Sequence, residues 1–256
     1  MLRLALTPRW LGWFLLVVLA SLACLWLGQW QWGRYEDKSA RAERIESHYE
    51  ADPVPVTEVL TDDPVAIDDE WTRVRATGTY DTGQQVLVRN RPLDGTYGYE
   101  VLLPLRLEGG GTLLVDRGWV PNSPKGADVV PEVPPAPDGE VTITGWVRIA
   151  EPSLGRDLPP GQVASINQSE VEAEVGTDLL GGYVSLEEES PEAERPDPLE
   201  VPDTDTGPHM PYAIQWWLVI PAVLVFWGMA LRREAQSSGP RPPREKKTRI
   251  WDEEDG

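Results

Sequence analysis

The sequence is poor in the residues that most often build metal and catalytic sites. Its 256 residues include one cysteine, Cys24, and two histidines, His48 and His209. A single cysteine forms no intramolecular disulfide and builds no cysteine-based zinc, iron–sulfur or dicopper site from this chain alone. Two histidines also exclude most metal chemistry and most Ser-His-Asp triad chemistry.

Basic residues are scarce relative to acidic ones. The chain has 23 lysines and arginines against 42 aspartates and glutamates, which gives a formal net charge of −19. Binding to nucleic acid needs clustered basic side chains that neutralise phosphates, so the composition argues against this class of function. The sequence also contains no Gly-rich phosphate loop and no nucleophile elbow.

Two apolar segments are long enough to cross a membrane. Residues 10–32 contain no charged residue, and residues 212–231 are almost all apolar. At ~1.5 Å of rise per residue, each segment covers roughly the 30 Å hydrocarbon core of a bilayer. A cleaved signal peptide, or a lipoprotein signal at Cys24, is the competing interpretation of the first segment. Against it, the apolar run exceeds a signal core of about 7–15 residues.

Basic residues beside the two segments predict the topology. Arg3 and Arg9 precede the first segment and seven basic residues follow the second, which predicts that both termini are cytoplasmic. The predicted organisation is a short N-terminus (1–9), a first span (10–32), an extracytoplasmic domain (33–211), a second span (212–231) and a disordered cytoplasmic tail (232–256). Because no transit peptide precedes residue 10, a bacterial plasma membrane fits best.

The extracytoplasmic segment has the pattern of a β-rich domain. Five short runs that begin near residues 71, 84, 97, 112 and 141 alternate with period two between Gly, Pro, Asp and Asn residues. A short helix with Ser169 as its N-cap and a last strand over 182–186 follow. The prediction is an α+β, β-dominant fold, either an antiparallel sheet or a partly closed barrel, flanked by two transmembrane helices. An acidic, proline-rich tether (187–208) connects it to the second span.

His48 lies in a charged segment that follows the first span. Residues 34–50 are rich in helix formers, so the first helix is predicted to continue until Asp52-Pro53. His48 has no second ligand at helical spacing, which favours a solvated helix residue over a metal ligand.

His209 stands directly before the second span and is the sharpest candidate for chemistry. A neutral imidazole at a membrane–water boundary suits axial ligation of haem iron. Helical spacing places Tyr212, Ala213 and Trp216 on the same face, which would leave room for a flat ring over a small residue. The alternative is an interfacial histidine that hydrogen-bonds to lipid or to a loop.

Two glutamines are polar groups inside the predicted spans. Gln29 and Gln215 each lie about three residues inside a span, at a similar depth of roughly 4.5 Å. Polar side chains in a membrane seek partners. The hypothesis is that these two hydrogen-bond each other or a shared ligand.

Four arginines fall in or beside the predicted strands: Arg89, Arg91, Arg117 and Arg148. A guanidinium binds a carboxylate in bidentate fashion, so these side chains could hold carboxylates such as haem propionates. The alternative is that they are surface charges of an acidic domain.

Several motifs together resemble the Surfeit-one (surfeit locus protein 1) family. They are LGQWQWGR at 27–34, VRNR at 88–91, GYEV at 98–101, DRGWVP at 116–121, GWVR at 145–148 and H-x-x-YAIQW at 209–216. The resemblance covers roughly residues 10–233 and includes the two-span layout. It implies an assembly factor, or chaperone, for a haem a-containing terminal oxidase (cytochrome c oxidase).

The resemblance also implies a cofactor site and partners. It suggests that the chain binds haem a or helps to insert it into the catalytic subunit of the oxidase, without catalysing a reaction. His209 would be the iron ligand, with Tyr212, Trp216, Gln215 and Gln29 as further contacts. The oxidase catalytic subunit, haem a synthase and membrane lipid are the expected partners. A scaffold that stabilises oxidase subunits without haem is one alternative, and an extracytoplasmic enzyme is another.

Overall fold

The structure is a computed structural model that describes residues 2–126 and 129–237. The chain divides into two compact units. The helical unit comprises the described residues up to Lys38 and from Thr206 onward, and the β unit comprises Ser39–Asp205. The helices are α1 (Leu2–Ala5), α2 (Pro8–His48), α3 (Gln168–Val175) and α4 (His209–Ser237). The strands are β1 (Val54–Pro55), β2 (Arg73–Tyr80), β3 (Val86–Leu93), β4 (Thr96–Leu107), β5 (Thr112–Pro121), β6 (Glu140–Arg148), β7 (Gln162–Val163) and β8 (Tyr183–Ser190).

Helices α2 and α4 are long and apolar enough to cross a membrane. They contain 41 and 29 residues, and only 11% and 6% of their most apolar windows are buried. Apolar side chains that remain uncovered by protein suit a lipid environment. As the helix formers after the first span indicate, α2 continues beyond residue 32, and it ends at His48.

Helix α4 is longer than the predicted span at both ends. It begins at His209 and continues to Ser237, so residues 232–237 are helical rather than a disordered tail. These residues extend the last turns of the helix without a proline or glycine to stop it. The rest of the predicted tail, 238–256, lies outside the described residues.

The two long helices of the helical unit pack against each other in antiparallel fashion. Trp10 near the start of α2 contacts Trp227 of α4, with ring centroids 6.2 Å apart. Farther along α2, Trp32 contacts Trp217 at 5.7 Å. The buried residues in the apolar part of α2 include three with a seven-residue spacing: Trp10, Val17 and Cys24. A seven-residue repeat keeps one stripe of a helix facing its partner.

A closed five-stranded barrel forms the centre of the β unit. The order β2–β6–β8–β5–β4 closes because β4 also pairs with β2. Strands β5 and β8 are parallel, and the other pairs of the ring are antiparallel. Strands β1, β3 and β7 extend the sheet outside the ring. The structure therefore confirms the β-dominant barrel that the strand pattern predicted.

Period-two alternation fills the interior of this barrel. In β6, Val141, Ile143 and Val147 are at most 1% exposed, whereas the residues between them are partly exposed or glycine. Successive strand side chains point to opposite faces, so one face of β6 supplies the core. Apolar residues of the other barrel strands complete the same cluster.

Helix α3 packs over a second apolar cluster, with Val171 fully buried. Its N-cap is Asn167, whose side chain accepts a hydrogen bond from the backbone N–H of Glu170. The prediction of Ser169 as the N-cap was therefore wrong by two residues. The amide oxygen of Asn167 caps the first turn instead, and the Ser169 hydroxyl donates to that same oxygen.

The acidic segment before α4 is less free than predicted. Strand β8 continues to Ser190, so the first four residues of the supposed tether (187–208) belong to the sheet. Glu187 fits there because Arg73 binds it in bidentate fashion, at 2.7 and 3.1 Å. Farther on, Asp197 and Trp119 exchange two backbone hydrogen bonds of 2.8 Å. Charge pairing and this bridge attach the segment to the β unit.

Candidate functional site

His209 is the first residue of α4 and is half-buried. Its Nδ1 lies 2.8 Å from Oε1 of Gln31 on α2. An amide oxygen only accepts, so in this arrangement the imidazole carries its proton on Nδ1 and donates it to Gln31. The lone pair is then on Nε2, which has no hydrogen-bond partner within the described ranges. This tautomer leaves one imidazole nitrogen ready to bind a metal.

Gln31 reaches His209 because it continues the buried stripe of α2. It follows Cys24 by seven residues, the same spacing that separates Trp10, Val17 and Cys24. Sequence reasoning considered Gln29 and missed Gln31. A two-residue step turns a helix by about 200°, so the two glutamines point in nearly opposite directions. The burial of Trp10, Val17 and Cys24 that defines this stripe comes from the structure, so the sequence alone did not single out Gln31.

The hypothesis of a hydrogen bond between Gln29 and Gln215 was wrong. Both side chains are exposed on the surface of the helical unit, and no such bond occurs in the part of the chain that the structure describes. Equal depth in a membrane does not fix the rotation of each helix, and rotation decides which side chains meet. Their role as contacts of a shared ligand stays a prediction.

The predicted floor for a flat ring is also not open. Ala213 is 0% exposed, so its surface is already covered. Tyr212 is 47% exposed and Trp216 is half-buried, so these two aromatic side chains remain accessible beside His209. The roles of Tyr212 and Trp216 toward a cofactor stay predictions.

Glycines shape the contacts around this site. A Cβ on Gly28 would lie 2.2 Å from Nε1 of Trp217, so only glycine lets that indole pack on α2 in this position. Near His209, a Cβ on Gly207 would lie 3.5 Å from Nζ of Lys38 and 3.9 Å from Nε2 of His209. The ammonium group and the free imidazole nitrogen therefore flank the same glycine.

The motifs of the β unit converge in a second polar cluster. Arg91 binds Glu100 at 2.9 Å and Glu151 at 2.6 Å. The indole N–H of Trp119 donates to the Arg91 carbonyl oxygen at 2.8 Å. Burial raises the pKa of Glu100 to about 7, and it raises the pKa of the buried Asp116 well above its ordinary value. This cluster links the VRNR, GYEV and DRGWVP motifs.

Internal carboxylates neutralise three of the four arginines considered as propionate ligands. Besides Arg91, Arg117 binds Glu189 at 2.7 Å, and Arg148 binds Glu70 at 3.3 Å. The guanidinium of Arg89 lies 5.8 Å from the centre of the Tyr99 ring. The side chains of Arg117 and Glu189 are 1% and 2% exposed, so this pair is neither a surface charge nor an open ligand site.

Among residues 2–126 and 129–237, no group of three His, Cys, Asp or Glu side chains is arranged to hold a metal ion. His48 is half-buried, and its Nδ1 lies 3.3 Å from the backbone oxygen of Glu70. This histidine contacts the β unit's backbone rather than standing fully in solvent. His48 ends the charged part of α2, whereas His209 begins α4 directly beside its apolar part.

A barrel domain inserted between two membrane-length helices defines this chain as a membrane protein with an anchored β-barrel domain. Its sequence matches the model of the SURF1 family over residues 18–220. Uncharacterised SURF1-like proteins of Mycobacterium tuberculosis and Mycobacterium bovis are 38% identical over 250 residues, which cover 93% of this chain and 91% of each relative. Surfeit locus protein 1 of Xenopus tropicalis is 26% identical over 251 residues, which cover 85% of this chain and 74% of that protein. The chain belongs to the SURF1 family, whose members are known as cytochrome c oxidase assembly factors.

Proposed function

We propose that this chain assists the assembly of a haem a-containing terminal oxidase by holding haem a, or by helping its insertion into the catalytic subunit. The hydrogen bond of 2.8 Å between His209 and Gln31 carries the proposal. A ligating histidine typically donates its other ring N–H to a fixed acceptor, which sets the tautomer and the ring orientation. Gln31 provides that acceptor from the neighbouring helix.

The residues around His209 fit a haem. Nε2 of His209 would be the axial ligand, and the nearby ammonium of Lys38 would pair with a propionate carboxylate. Tyr212 and Trp216 offer accessible aromatic surface to an apolar macrocycle. When bound, the haem iron would supply an open coordination position. One histidine would give the iron a single protein ligand from this chain, or a second ligand would come from a partner chain such as the oxidase catalytic subunit or haem a synthase.

The proposed topology places the β unit outside the cytoplasm of a bacterial cell, with both helices spanning the plasma membrane. Residues 33–211 contain 36 acidic and 14 basic residues, a net charge of −22. Basic residues, in contrast, flank the start of the first span and the end of the second. This distribution follows the preference of short basic flanks for the cytoplasm. The function needs no catalysed reaction, because binding, orientation and release of the cofactor suffice.

Substitution of His209 and of each glutamine tests the proposal. Purified full-length variants are compared by their co-purifying haem, measured from reduced-minus-oxidised spectra. His209→Ala is expected to abolish the bound haem. Gln31→Ala is expected to weaken binding by about 10–100-fold, as loss of an orienting partner does at metal sites. Gln29→Ala is the matched comparison, because it makes the same change two residues away on the exposed face.

Unchanged haem in His209→Ala would remove the histidine as ligand. Equal losses of bound haem in Gln29→Ala and Gln31→Ala would indicate that the cofactor lies on the exposed face of α2. They would also refute the orienting role of Gln31. Oxidase assembly in cells separates the scaffold alternative. Normal assembly with His209→Ala, combined with failed assembly when the chain is deleted, would favour a scaffold that does not bind haem.

A further inference from the structure

A groove of about 420 Å³ opens between the first turns of α2 and the last turns of α4. Its walls include Trp10, Val17 and Ala20 of α2 and Phe226 and Trp227 of α4. The volume falls within the roughly 300–1,000 Å³ that is typical of ligand sites. Its position at the far end of the helices from His209 separates it from the proposed haem site.

Two hydrogen-bond donors at this groove lack acceptors. The indole nitrogens of Trp10 and Trp227 are buried and have no hydrogen-bond partner among the described residues. Both rings line the groove, and their centroids are 6.2 Å apart. A buried N–H without an acceptor is unfavourable, and the hydrocarbon region contains no water to satisfy it. The groove therefore suits a ligand that combines an apolar body with acceptor oxygens.

Two charged side chains, the basic Arg9 and the acidic Glu234, line the rim of the groove. Arg9 lines it, and its side chain is 70% exposed with a long ion pair of 3.5 Å to Glu234. Residues 2–9 and 232–237 together contain four arginines and one acidic residue. Basic groups between helices at a membrane surface bind anionic lipid headgroups. The exposed guanidinium of Arg9, with the excess of arginines around it, therefore complements a phosphate.

We propose that this groove binds an anionic glycerophospholipid. An acyl chain lies along the apolar walls, and the phosphate pairs with Arg9. The ester carbonyl oxygens accept hydrogen bonds from the tryptophan side chains once these rings turn toward the groove. The bound lipid stabilises the antiparallel helix pair at the end opposite His209. This site is independent of haem binding.

The test uses the full-length protein in detergent with two probes, phosphatidylglycerol and phosphatidylcholine of identical acyl chains. Native mass spectrometry measures the bound lipid. We expect phosphatidylglycerol to bind in preference to phosphatidylcholine, and Ala20→Phe to abolish this binding by filling the groove. Ala23→Phe is the matched control, because Ala23 belongs to the same apolar stretch but is exposed outside the groove. It should bind the lipid as the wild type does.

Arg9→Gln keeps the groove open and removes one charge. We expect it to weaken phosphatidylglycerol binding about fivefold, the effect of one basic residue near an anionic lipid surface, and to leave phosphatidylcholine unchanged. Equal binding of both lipids in wild type and Arg9→Gln would refute the anionic ligand and favour a neutral lipid or quinone. Equal phosphatidylglycerol binding in Ala20→Phe and Ala23→Phe would refute the site itself.

Discussion

The buried Arg117–Glu189 pair of the β unit and His209 of the helical unit satisfy their polar groups to different degrees. In the β unit, Arg117 and Glu189 are almost fully buried and neutralise each other at 2.7 Å. In the helical unit, His209 binds Gln31 through one nitrogen and keeps the other without a partner in the described ranges. A fully paired network stabilises a fold, whereas an unpaired group is available to a ligand. The comparison indicates that Arg117 of the DRGWVP motif serves stability, whereas the second nitrogen of His209 is the group that we propose binds a ligand.

The largest expected effect comes from breaking the buried ion pair. Arg117→Leu leaves Glu189 buried without its charge partner, which should cost about 3–5 kcal/mol of unfolding free energy. Denaturant unfolding of the full-length protein, followed by tryptophan fluorescence, measures the change. Lys125→Ala is the control, because Lys125 and Glu132 form an exposed pair at 4.0 Å.

Replacing both partners distinguishes charge burial from lost packing. Arg117→Met combined with Glu189→Leu should recover much of the lost stability, because no unpaired charge remains. If Arg117→Leu unfolds at the same denaturant concentration as Lys125→Ala, the pair does not stabilise the β unit and the comparison fails.

A smaller effect is expected from pH. Burial raises the pKa of Glu100 from 4.5 to about 7, against the opposing influence of Arg91. The folded state therefore holds this proton more tightly than the unfolded state, so the stabilising contribution of Glu100 is complete below pH 4.5 and is lost as pH rises toward about 7. The contribution of Glu100 is on the order of 3–4 kcal/mol, since the pKa rises from 4.5 to about 7 at about 1.4 kcal/mol per pKa unit. Asp116, whose pKa is also raised, acts in the same direction.

Unfolding midpoints measured between pH 4.5 and 8 should therefore decrease with pH in the wild type. Glu100→Gln mimics the protonated carboxyl and should flatten this decrease. Combining Glu100→Gln with Asp116→Asn should flatten the decrease further. Unfolding midpoints that instead rise with pH through this interval would show that both carboxyls are ionised in the folded wild type.

The smallest expected stability effect is in the helical unit. Gln31→Ala removes a single hydrogen bond between helices, which is worth about 0.6 kcal/mol in membrane proteins. The same substitution is expected to weaken haem binding much more, so stability and binding should separate. Thermal unfolding in detergent without added haem measures the first quantity. A loss as large as that of Arg117→Leu would make Gln31 a structural residue.

Local patterns predicted most of the architecture. The strand runs of the sequence correspond to β2 through β6, and their closure into a barrel agrees with the predicted fold. The errors occurred where neighbours in space decide the outcome. Glu187 and Glu189 indicate a solvated linker by composition, yet Arg73 and Arg117 hold them in β8. Their partners lie 114 and 72 residues away in the sequence, so no local pattern reveals them.

The sequence by itself determined the two apolar helices, the alternating strands and His209 as the histidine next to an apolar segment. These features depend on the order of residues within a few turns or pleats. Only the tertiary structure decided that Gln31, and not Gln29, meets His209, and that Ala213 is covered. Side chains on two helices meet according to the rotation of each helix, and a shift of two residues turns a side chain by about 200°. That rotation is set by packing along both helices, including Trp217 on Gly28.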